Sequence, residues 1–240
     1  MAQQGISLEY HDGDQRCIGE YFAPPSTEGN SPVVLVVHAW DGLGDEVRDK
    51  ASRLAQQGYI AFAIDVHGDG VLHTDFSKVQ EVLGPFMMDR PMLLARLVAA
   101  LDAAKTIPNA DTQRIGVMGY CFGGTCALDL ARSGGPDIKA AVSFHGGLAA
   151  NGMEATRISA PVLVLHGHDD PMVPPEAVAE FQQEMTEREA DWQLVSYGHT
   201  VHGFTRPEAN YPDLGVVYNP LADKRSWQSM LQFFEEVLQA

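Results

Sequence analysis

The 240-residue chain predicts an α/β fold: a mostly parallel central sheet with helices on both faces and an antiparallel N-terminal hairpin. Three observations predict it. Five continuous apolar runs, PVVLVVHAW (32–40), YIAFAIDVHG (59–68), RIGVMGYC (114–121), AAVSFHGG (140–147) and PVLVLHGHDD (161–170), read as strands buried on both faces. Helical spacing separates them. Residues 6–22 instead alternate apolar and polar around Asp12-Gly13, a pair suited to a tight reversal.

The remaining elements follow in chain order. Val47, Ala51, Leu54 and Ala55 recur at helical spacing and stop at Gly58, while Asp89 and Pro91 open a helix through Leu93, Leu94, Leu97, Val98 and Leu101. A short helix is expected at 125–132, a strand at WQLVSY (192–197), and a docked amphipathic helix at RSWQSMLQFFEEVLQ (225–239). Two long segments, 68–87 and 203–223, show no clear periodicity. Their Phe, Tyr and Leu content reads as ordered pocket walls, with Phe86, Phe204 and the strand-end Tyr120 expected to face substrate. No repeat or linker interrupts the chain, which predicts one domain over 1–240.

Composition narrows the function. Hydrophobic residues at 45% and charged residues at 20% are those of a globular chain, and a net charge of −16 opposes nucleic acid and anionic membranes. The start, MAQQGISLEYHDGD, lacks the basic and apolar parts of a secretory leader, so a cytoplasmic location is expected. Cys17, Cys121 and Cys126 are too few and too irregular for a disulfide framework or a zinc knuckle. Cys121 calls for another explanation.

GYCFGG supplies it. A strand, Gly-X-Cys-X-Gly and a helix match the nucleophile elbow, with cysteine where serine is commoner. Glycines at 119 and 123 let the backbone close in, and the helix N-terminus behind the sulfur favours thiolate. Cys126, farther along the same helix, reads as structural. A nucleophile needs a base and an orienting acid, which in this pattern follow as acid and then histidine. HGHDDPMVP offers Asp170, preferred to Asp169, and GHTVHGF offers His202, preferred to His199. His38, His145 and His166 close apolar strands and read as structural, and His11 and His73 read as surface residues. Two rivals stand beside this reading: a metal-dependent hydrolase using His166, His168 and His202, and a non-catalytic binding protein on the same scaffold.

With VLVVHAWDGLGDEVRDKASRLAQQGYIAFAIDVHGDG, GYCFGG, GHDDPMVP and HGF in order, the chain resembles the dienelactone hydrolase family of α/β-hydrolases. The resemblance implies that Cys121 is the nucleophile, His202 the base and Asp170 its orienter, with the backbone amides of Phe122 and Trp40 as the oxyanion hole. Relatives often carry a glutamate where this chain has Ala39; a resting Cys121 thiolate paired with His202 imidazolium would remove the need for it. Family members hold a substrate carboxylate with two arginines. Arg206 matches one by position, and Arg90 or Arg96 is the candidate for the other. No cofactor or metal is implied, and the chain is expected as a monomer or homodimer acting on a small ester or lactone.

Thiol chemistry limits the substrate. With a thiol pKa near ~8.5, cysteine leaves a tetrahedral intermediate before an alkyl alkoxide does, so simple esters revert. Enol lactones and aryl esters have better leaving groups and go forward. The same reasoning extends to neutral aryl phosphotriesters.

Overall fold

The computed structural model describes residues 4–25, 29–154 and 156–239; Met1 to Gln3, where the leader expectation begins, lie outside them. The alternating N-terminal residues form β1 (Ile6–Asp12) and β2 (Gln15–Phe22), paired antiparallel through the turn that Asp12 and Gly13 begin. The apolar runs form β3 (Ser31–Val37), β4 (Ile60–Ile64), β5 (Ala110–Tyr120), β6 (Ile138–Phe144) and β7 (Val162–Gly167), and β8 (Trp192–Tyr197) completes the sheet. Its order is β1-β2-β4-β3-β5-β6-β7-β8, antiparallel up to the β2–β4 pair and parallel from β4 onward.

Strand alternation builds a core on each face. In β3, Val33, Leu35 and Val37 enter one core while Val34 and Val36 enter the other. The first is covered by α3 (Arg90–Ala104), α4 (Phe122–Arg132) and α5 (Pro175–Glu187), through Leu93, Leu97, Leu128 and Phe181. The second is covered by α1 (Asp45–Ala55) and α6 (Pro220–Leu238), through Leu54, Trp227 and Phe234. Helices thus lie on both faces of the parallel strands, whose C-terminal ends form the edge where a site is expected.

Three expectations change. The segment 68–87 contains a helix, α2 (Phe76–Met88), capped where the Asp75 carboxylate accepts from Ser77 N–H at 2.9 Å. The elbow helix starts at Phe122 rather than 125, directly after the nucleophile candidate. The segment 203–223 holds a small hairpin, β9 (Asn210–Tyr211) and β10 (Val216–Val217), then the first turn of α6. Among the described residues no helix is long and apolar enough to cross a membrane.

Candidate active site

Three strand or loop ends deliver the site. β5 ends at Tyr120 and α4 begins at Phe122, so Cys121 carries the whole reversal, with φ 54° and ψ −115°. That backbone is strained for a side-chain-bearing residue. Its amide donates to Phe144 O at 3.0 Å, which pins the turn to β6. The glycines are explained by the same turn. A Cβ on Gly119 would run into the backbone of Gly123, and a Cβ on Gly123 into the carbonyls of Val37 and His38. Phe122 N–H lies in the first turn of α4, where amides have no intrahelical acceptor.

The acid and histidine come from the loops after β7 and β8. Asp170 is buried; its Oδ1 accepts from Met172 N–H at 2.8 Å and its Oδ2 accepts from His202 Nδ1–H at 2.8 Å. Asp169 is exposed, and its amide donates to Thr200 O at 2.9 Å. The His202 backbone is clamped by the second half of segment 203–223: its amide donates to Gly215 O, and Val217 N–H donates to its carbonyl. His199 stands exposed in a left-handed turn, φ 55°.

With Nδ1 committed to Asp170, Nε2 is left buried without a hydrogen-bond partner and turned toward Cys121. The sulfur acts on the ring's charge. Burial alone would push His202 down; the Asp170 carboxylate and the Cys121 sulfur outweigh it and raise the ring to about 10. Imidazolium is therefore the resting form. Cys126 is fully buried, and burial followed by the Asp129 charge pushes its thiol well up, which leaves it protonated and inert.

Two strand-end histidines do more than fill space. His38 is held in one tautomer: its Nε2 accepts from Val66 N–H at 3.2 Å, so Nδ1–H donates to Ala39 O at 2.7 Å. This fixes the Ala39–Trp40 peptide, whose N–H is the second expected oxyanion donor. His145 sits edge-on to His202 with ring centroids 5.0 Å apart, and its Nε2 lies 2.8 Å from Thr205 Oγ1. Burial, then the neighbouring His202, hold it well below the ordinary histidine range. A neutral ring can lie against an imidazolium without repulsion. The available signal was position, since both close strands at the edge of a parallel sheet. His73 is half-buried rather than superficial, its ring centroid 5.3 Å from that of His67.

The three arginines considered as anion anchors all have carboxylate partners. Arg206 is spanned by Asp41 at 2.9 Å and Glu46 at 3.5 Å, so its charge is already matched. Arg90 is tied to the fully buried Asp129, at 2.6 and 2.7 Å, and Arg96 to Asp12 at 2.8 Å and Val66 O at 2.6 Å. These are structural pairs. Phe86 and Phe204 are packed into opposite cores. Tyr120 stacks on Phe144 and does line a cavity, of about 590 Å³, beside His38, Ala39 and Arg206. Among the described residues no group of three or more His, Cys, Asp or Glu side chains is arranged to hold a metal ion; His166 is buried while His168 is exposed.

A thiol on a strained strand-to-helix elbow, with an acid and a histidine arriving later in that order on a mostly parallel sheet, defines the α/β-hydrolase class. Residues 18–238 match the dienelactone hydrolase family, and the chain belongs to it. A solved dienelactone hydrolase-like promiscuous phosphotriesterase from metagenomic libraries is 37% identical, with TM-score 0.93 over 99% of both chains. An uncharacterized protein of Caenorhabditis elegans is 40% identical over 60% of this chain and 93% of its own length. A Bradyrhizobium protein named "Probable 2-oxo-3-(5-oxofuran-2-ylidene)propanoate lactonase" is 27% identical over 96% of this chain and 95% of its own.

Proposed function

We propose that this protein hydrolyses activated esters and lactones through a covalent Cys121 thioester, with His202 carrying the protons and Asp170 orienting His202. One observation carries the reading: His202 gives Nδ1 to buried Asp170 and turns an unpartnered Nε2 toward the sulfur on the elbow. The sulfur attacks the acyl carbon, and the carbonyl oxygen, now an oxyanion, accepts from the amides of Phe122 and Trp40. Collapse expels an enolate or phenolate, which takes the proton from His202 Nε2, and a thioester remains.

The second half follows from the same electrostatics. Acylation removes the sulfur's negative charge, one of the groups holding His202 up. The ring loses that support, its pKa falls, and it stands neutral with Nε2 open to accept a proton. It then takes a proton from water as the oxygen attacks the thioester, and keeps it as the sulfur departs as thiolate, which releases the acid and restores the resting pair.

The substrate class is tested by pairing leaving groups on one acyl chain. The kcat/KM for a p-nitrophenyl or vinyl ester should exceed that for the ethyl ester by at least roughly a hundredfold, because thiolate outcompetes only the poorer leaving group. Equal rates would sink the thiol mechanism. The 37% identical promiscuous phosphotriesterase favours a second activity, attack of the Cys121 sulfur on phosphorus in an aryl dialkyl phosphate. Aryl alcohol release no faster than from Cys121→Ala would dispose of it.

A further inference from the structure

Arg206 stands four residues after His202, and its guanidinium is turned to the loop that follows β3. Its Nη2 lies 2.9 Å from Asp41 Oδ2 and its Nε 3.5 Å from Glu46 Oε2. The cavity of about 590 Å³ that these residues line has no positive charge to spare, since carboxylates such as Asp49, Glu208 and Asp223 outnumber the cations Lys50, Arg53 and Arg206. The arginine is also rooted at its base. Arg206 N–H donates to Gly203 O at 3.1 Å, and Lys50 Nζ, on α1, donates to Thr205 O at 3.3 Å, so the side chain projects from an anchored turn.

The other partner matters for what lies beside it. Asp41 directly follows Trp40, whose amide is the second oxyanion donor of the proposed mechanism. The backbone around that amide is held from several sides. His38 Nδ1–H donates to Ala39 O at 2.7 Å, and His73 N–H donates to Asp41 O at 2.8 Å. Gly42 pairs with Leu72 so closely that a Cβ on Gly42 would strike Val71 O. Those contacts tie the loop to β3 and to the segment after β4. The Asp41 carboxylate adds a tie to the loop that carries His202. With the Arg206 side chain 32% exposed, this ion pair contributes little stability of its own. Its consequence is the placement of what it holds.

We infer that Arg206 is a positioning residue: through the Asp41 carboxylate it holds the Trp40 amide where the substrate's oxyanion forms, a role that rests on the acyl-transfer mechanism proposed above. The pair couples the loop of the base to the loop of the oxyanion hole. A donor serves the transition state only if it stands within hydrogen-bond reach of the oxygen as the carbon becomes tetrahedral, so looseness in this loop costs rate rather than substrate affinity. Charged and neutral esters share that oxyanion and should suffer alike.

The test compares Arg206→Gln and Asp41→Asn with the native chain on p-nitrophenyl acetate and on mono-p-nitrophenyl succinate, which adds a carboxylate behind the same leaving group. On both esters kcat should fall at least about tenfold in Arg206→Gln and severalfold in Asp41→Asn, with KM little changed. Arg206→Lys, which keeps a charged contact with Asp41, should recover part of the loss, and the double variant should be no slower than Arg206→Gln. Asp41→Asn keeps the side chain's shape, which guards the comparison against misfolding of Arg206→Gln. Alkylation of Cys121 by iodoacetamide displaces iodide from a saturated carbon and develops no oxyanion, so both variants should keep the native rate; Cys17 and Cys126 are buried and do not compete. A rise in KM confined to the succinate ester would make Arg206 an anion anchor and overturn the inference. Native kcat in both variants, or alkylation slowed in step with kcat, would overturn it too. Cys121→Ala is measured alongside: turnover surviving there would sink the thiol nucleophile, whereas an oxyanion forms whatever group attacks the carbonyl, so the Arg206 and Asp41 results remain readable.

Discussion

At the scale of single residues, the chemistry rests on where two protons sit. Asp170 fixes the His202 tautomer at 2.8 Å, so Asp170→Asn should leave the fold in place and lower kcat by roughly 10²- to 10⁴-fold. Unimpaired turnover would transfer the orienting role elsewhere. The charge on His202 has its own signature. Folding raises the ring from ~6.5 to about 10, so the imidazolium contributes stability that is whole below ~6.5 and is lost as pH rises through about 10. Urea midpoints of the native chain should therefore fall more between pH 7 and 10.5 than those of His202→Gln. Identical slopes would contradict a raised pKa. Cys121 and His202 were legible in the sequence because glycine spacing and chain order announce them. His145 was not, since only its contact with the His202 ring distinguishes it from a structural strand-end histidine.

At the scale of elements, the elbow is a backbone device. Gly123→Ala would force a Cβ into the carbonyls of Val37 and His38, and should lower the urea midpoint by about 1–3 kcal/mol of stability and abolish turnover together. Full activity in that variant would mean that the turn is looser than drawn. Arg90 makes the opposite kind of prediction. Its partner Asp129 is fully buried, and burial pushes that carboxyl up, so Arg90→Ala should destabilise by about 3–5 kcal/mol while leaving KM for neutral esters unchanged. A selective rise in KM for carboxylated esters would restore Arg90 as an anion anchor. Helix α2 escaped the sequence reading for a physical reason. Val79, Val82, Leu83 and Phe86 do recur at helical spacing, but Gly84 and Pro85, which read as helix breakers, fall inside the stripe, and the helix runs through them.

At the scale of the molecule, the parallel strands were legible because burial on both faces demands unbroken apolar runs, as in Val33 to Val37. What the sequence could not show is which distant charges meet. Arg206 stands at the position expected of an anion anchor, yet its partners Asp41 and Glu46 come from the loop after β3 and from α1, more than 150 residues earlier. Long-range pairing of this kind leaves no local pattern. It turns the cavity's surplus charge negative, whereas position alone had suggested a carboxylate pocket. The central claim remains that the site works by covalent thiol catalysis. Stopped-flow release of p-nitrophenol from a short p-nitrophenyl ester, in native protein and in Cys121→Ala, tests it most directly. The account predicts a burst proportional to enzyme concentration in the native protein and none in the variant. Equal slow release by both would contradict it and leave GYCFGG as scaffold.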